Sequence, residues 1–168
     1  MDGPPAMALG LDDPEADVMQ RKPRPMSEKI LTTGRWRAIL TSSVIMAAGT
    51  LAVLQWAPGD EPYAGVATVA GTMAFNTFVL FQFFNILNSR SDTLSVFRRA
   101  TLHNSRLWMA LAGVIILQIG VTHFGPMQRL FDTTSISGMQ WLIAVAIASS
   151  VLWIEEVRKL YIRRRNAL

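Results

Sequence analysis

The segment Phe75-Asn76-Thr77-Phe78-Val79-Leu80-Phe81-Gln82-Phe83-Phe84-Asn85-Ile86-Leu87-Asn88-Ser89 closes an uncharged run that begins at Ala64 and is broken only by Arg90. Such a run exceeds the roughly 20 residues that cross a hydrocarbon layer of about 30 Å as helix. Outward from it lie three more uncharged runs, Ala38–Trp56, Leu107–Gln128 and Thr133–Ile154. Buried helices of water-soluble bundles normally keep a polar stripe toward solvent, and these runs carry none. The reading is therefore an all-α protein: a four-helix transmembrane bundle with antiparallel neighbours.

Charge sets the expected orientation. Fifteen of the sixteen Lys and Arg residues fall before the first run, between the second and third, or after the fourth, and only Arg129 falls in the other connections. Positive residues favour the cytoplasmic side, which predicts a cell-membrane protein with both termini in the cytoplasm. The net charge of +4 is thus topological, and no nucleic-acid partner is expected. Trp36, Trp56, Tyr63, Trp108, Trp141, Trp153 and Tyr161 sit near run ends, where amphipathic rings favour the interface with lipid. Pro4, Pro5, Pro14, Pro23 and Pro25 predict a cytoplasmic, Pro-rich strap over residues 1–34, leaving 35–168 as the four-span domain with a short basic tail.

The polar residues inside the runs are the candidates for function. Gln82, Asn85 and Ser89 share a face at 100° per residue, and Asn76, Asn85 and Asn88 read as interhelical polar contacts. Small pairs four residues apart, Ala67/Gly71, Ala70/Ala74, Ala48/Ala52 and Ala144/Ala148, allow close helix approach. Ser137 and Gln140 have capping-box spacing at the start of the fourth run. Glu155 and Lys159 form an i,i+4 pair that would support a helix leaving the membrane. With no cysteine in the chain, thiolate chemistry is excluded. His103 and His123 stand apart and read as interfacial residues rather than metal ligands. No phosphate loop or catalytic triad order is present, so neither catalytic nor cofactor-binding residues are expected.

Two segments resemble one family. Met1-Asp2-Gly3-Pro4-Pro5-Ala6-Met7-Ala8-Leu9-Gly10, followed by Asp17-Val18-Met19 and Arg21-Lys22-Pro23-Arg24, is similar to the segment after the sixth transmembrane helix of P-type cation pumps. The run Phe75 to Arg90 resembles their eighth helix, particularly in plasma-membrane-type calcium pumps. The segments stand in the family's order and the resemblance covers essentially the whole chain. It implies that the four spans correspond to the pump's seventh to tenth helices.

The resemblance also implies roles. Asp2 matches the carboxylate that ends the sixth helix and helps bind the cation, and Gln82 matches an ion-site position on the eighth. Sarcoplasmic-type calcium pumps carry Glu there; an amide supplies a calcium-ligating oxygen without charge, which weakens the expectation of a second calcium site. Gln82 read from the residues alone is equally an interhelical hydrogen-bonding amide. A parent pump would use ATP and Mg2+ and would move a cation, with calcium expected. The family's Asp-Lys-Thr-Gly-Thr and Thr-Gly-Glu-Ser motifs are not in this sequence, so no ATPase activity is expected from it alone, and a truncated gene, an internal start or a split pump is the expected origin. Expected partners are membrane lipids and the remaining helices and cytoplasmic domains of such a pump; the alternative is a stand-alone membrane scaffold or partner-binding protein.

Overall fold

The structure is a computed structural model and describes residues 7, 10, 32–57, 67–91, 95–97 and 104–166. Asp2, His103 and most of the strap lie outside the described residues. Among the described residues five helices follow in order: α1 Thr33–Trp56, α2 Val69–Ser89, α3 Ser105–His123, α4 Gly125–Phe131 and α5 Gly138–Asn166. The four long ones are long and apolar enough to cross a membrane, and no strand occurs among the described residues.

Each long helix begins on a residue able to satisfy its open N–H groups. Thr32 Oγ1 accepts from the Arg35 N–H, Thr68 Oγ1 from Gly71 at 3.0 Å, and Asn104 Oδ1 from Leu107 at 3.0 Å. The expected capping box opens α5: the Ser137 N–H donates to Gln140 Oε1 at 2.6 Å, and the Gln140 N–H to Ser137 Oγ at 3.3 Å. The third run, however, does not stay helical to Gln128. It breaks at Phe124, whose N–H closes α3 on Gly120 O at 2.8 Å and whose carbonyl receives the Gln128 N–H at 3.0 Å as α4 starts. Pro126 in the first turn of α4 is the cause, because its ring suits a helix start and not a helix interior. α4 ends at Asp132 with φ of 51°, a left-handed position that Asp tolerates better than most side chains. Residues 133–137 then run without helix to Gly138, so the uncharged run from Thr133 begins before the helix, which opens at Ser137 as its capping-box spacing expects.

Three apolar clusters run along α2 and give the topology. At one end Met73 and Ala74 pack with Val53 of α1 and with Ile136. In the middle Leu80 and Phe81 meet Ala144, Ala148 and Val151 of α5. At the other end Leu87 meets Leu107 and Leu111 of α3, Leu152 of α5 and Val96. Consecutive membrane-crossing helices are therefore antiparallel, with the ends of α1 and α5 that point to the chain termini on the same side of the bundle. That side is called the terminal end below, and the opposite one the loop end. Ala144 and Ala148 are fully buried, as the small-pair reading expects, and Ala70 and Ala74 are buried too; Ala48 faces outward instead. The closest approach is at Gly49, where an added Cβ would stand 2.6 Å from Cζ of the buried Phe81 ring.

The distribution of side chains is inverted relative to a water-soluble fold. Val44, Ile116 and Leu142 are each more than 60% exposed, whereas Asn76, Thr77, Gln118, Thr122 and Lys159 are wholly buried. Apolar side chains outside and amides inside is the arrangement that lipid as solvent demands, since an unpaired polar group facing hydrocarbon costs several kcal/mol.

Candidate functional site: the amides of α2

The four amides of α2 meet three different surroundings. Asn76, near the loop end, is wholly buried against α3. Its Oδ1 accepts from Gln118 Nε2 and, at 3.3 Å, from Thr122 Oγ1, while Thr122 Oγ1 also lies 2.7 Å from Gln118 O one turn back. The same region is stitched to the connection after α4. Gln128 Nε2 donates to Thr122 O at 2.6 Å and to Ser135 Oγ at 2.9 Å. Thr133 Oγ1 donates to Val121 O at 2.6 Å, and the Thr134 N–H to Thr72 Oγ1 of α2 at 3.0 Å. His123 acts as an interfacial acceptor for Trp141 Nε1 at 3.3 Å.

Asn88, at the terminal end, is buried against α5 and donates from Nδ2 to Val151 O at 3.2 Å. Its own carbonyl accepts from Lys159 Nζ at 3.0 Å. Lys159 is thus drawn into the bundle, a place the reading of a departing helix did not foresee. Glu155 binds Arg158 with both carboxylate oxygens, 2.9 Å each from Nε. Past Glu155 the outward face of α5 stays apolar, with Val157, Leu160 and Tyr161 exposed. The charges here point inward and the hydrocarbon outward.

Gln82 and Asn85 lie between these two anchorages. Both are half-buried, and neither side chain makes a hydrogen bond among the described residues. They do share an edge of α2, as their spacing predicts, while Ser89 beside them is exposed and donates to Asn85 O at 2.9 Å. Among the described residues, Asn76 and Asn88 hydrogen-bond to a neighbouring helix and the Asn85 side chain makes no hydrogen bond. Gln118, Thr122 and Thr72 belong to the polar system although the sequence reading passed over them; a lone amide inside an apolar run was the available signal for Gln118. No group of three or more His, Cys, Asp or Glu that could hold a metal occurs among the described residues.

A family model described as "Cation transporting ATPase, C-terminus" matches residues 1–161. The chain belongs to that family. Calcium-transporting ATPase 1 of Schizosaccharomyces pombe is 38% identical over 166 residues, 99% of this chain and 18% of that protein. Calcium-transporting ATPase type 2C member 1 of Homo sapiens is 38% identical over 168 residues, 100% of this chain and 18% of its own length. Type 2C member 2 of Mus musculus is 33% identical over 96% of this chain and 17% of its own length. The chain thus spans less than a fifth of the cation-transporting ATPases it matches. These relatives do not support the plasma-membrane type toward which the eighth-helix resemblance leaned; they bring the chain nearer to type 2C.

Proposed function

We propose that this C-terminal membrane portion serves a pump that moves calcium, and that the Gln82–Asn85 edge of α2 faces the helices completing the cation path. One observation carries the reading: the amide at each end of α2 is buried and makes a hydrogen bond to a neighbouring helix, while the two between them are half-buried and make none among the described residues. A polar side chain at membrane depth needs a partner, and helices outside this chain, with the cation they hold, would supply it. The names of the relatives supply calcium. Calcium takes six to eight oxygen ligands, so Gln82 would be one contributor among several, and Asp2 a second by its place in the family motif. The bias of fifteen basic residues supports a cytoplasmic terminal end. The cytoplasmic domains that would use ATP and Mg2+ are then partners on that side, in a cell membrane whose lipids cover the apolar outer faces.

The test is calcium-dependent ATP hydrolysis by the full-length pump containing this chain. Gln82→Leu should raise the calcium concentration for half-maximal rate by about tenfold, the loss expected when a ligand or its close neighbour is removed. Gln82→Glu should retain tighter calcium dependence than the leucine variant, because it keeps an oxygen at the position. An unchanged half-maximal concentration for Gln82→Leu sinks the reading.

A further inference from the structure

The terminal half of α5 holds α2 more firmly than apolar packing requires. Lys159 is wholly buried, and a buried ammonium is costly unless its donors are taken up. Its Nζ reaches the carbonyl of Asn88 at 3.0 Å, in the last turn of α2, where backbone carbonyls lack helical partners and the helix dipole is negative. The Asn88 side chain returns the contact by donating to Val151 O of α5 at 3.2 Å. Glu156 Oε1 extends the hold by accepting the Val96 N–H at 2.8 Å, beyond the end of α2. Side chain to backbone in both directions, these bonds define how far α2 slides along α5 and how it is rotated. A methionine of similar volume would fill the space without specifying either.

Gln82 stands six residues before Asn88, less than two turns along the same helix. A helix held at its end carries that registration to a side chain so close. We propose that Lys159 is a positioning residue, fixing the depth and rotation of α2 and so aiming the Gln82 amide into the cation path. This rests on the role given to Gln82 above. Lys159 touches no cation; it acts through Asn88 and the helix.

The experiment compares Lys159→Met, Lys159→Arg and Gln82→Leu in the full-length pump, measuring the calcium concentration for half-maximal ATP hydrolysis and the rate at saturating calcium. Lys159→Met should raise the half-maximal concentration by about threefold or more while keeping roughly half or more of the saturated rate per folded pump. Lys159→Arg, which retains a charged donor, should shift it less. Should Lys159→Met lower only the saturated rate or the amount of pump, with calcium dependence unchanged, the residue is merely structural and the proposal is overturned. If Lys159→Met does not fold, Asn88→Ala takes its place: it removes the other half of the lock and should move calcium dependence in the same direction, and no movement overturns the proposal. A shift in Gln82→Leu without one in Lys159→Met ends the positioning role but leaves the cation role of Gln82 standing. No shift in Gln82→Leu ends both, because Lys159 then has no cation-path amide to aim.

Discussion

The two ends of α2 and its middle are built from the same residue type and behave differently. Asn76 and Asn88 are buried with partners on α3 and α5, whereas Gln82 and Asn85 lie half-buried with no side-chain hydrogen bond among the described residues. An amide at an end serves to hold a neighbouring helix in place; an amide in the middle is left to serve something else. The difference teaches that polarity inside a membrane helix has two uses, and that the partner, rather than the residue, tells which.

The sharpest way to break this contrast is at Gln118. Gln118→Leu takes the Gln118 donor away from Asn76 Oδ1 and leaves it only Thr122 Oγ1 at 3.3 Å in a dry interior; it should destabilise the bundle by about 2 kcal/mol, read from reversible unfolding in mixed detergent micelles. Replacing Asn76 with Leu as well should recover part of that loss, and a double-mutant cycle with no coupling would show that the end of α2 is not held this way. Next in size, Gly49→Ala forces a methyl against the buried Phe81 ring and should cost about 1 kcal/mol in the same measurement, near the lower bound for overpacking. The smallest effect belongs to the middle: Asn85→Leu should stay within about 0.5 kcal/mol of the parent, as expected where no bond is lost. A large loss there would mean that Asn85 is already engaged and that the middle of α2 is not open.

Much of the bundle is legible in the residues, since four uncharged runs of sufficient length leave few alternatives to four crossings. The start of α5 was legible too, because Ser137 and Gln140 satisfy each other locally. The end of α3 was less legible: the uncharged run continues past Phe124 to Gln128, and only Gly125-Pro126 marks the break. Lys159 was harder. Its i,i+4 spacing from Glu155 describes an exposed helix surface, and nothing local reveals that α2 ends against that same face. The Gln82–Asn85 edge follows from helical periodicity alone. That it finds no hydrogen-bonding partner among the described residues depends on where α1, α3 and α5 pack, which is tertiary information.

α3 spans 19 residues and α5 spans 29, with an exposed apolar face reaching Tyr161. At 1.5 Å per residue, α3 covers about 28 Å, and α5 from Gly138 to Tyr161 about 36 Å. A bilayer matched to the shorter helix is thinner than the longer one, so α5 must lean or the lipid must swell beside it. Lipid thickness then acts on this bundle unevenly, pressing one flank more than the other, and chain length in the surrounding lipids becomes a variable to which its shape responds.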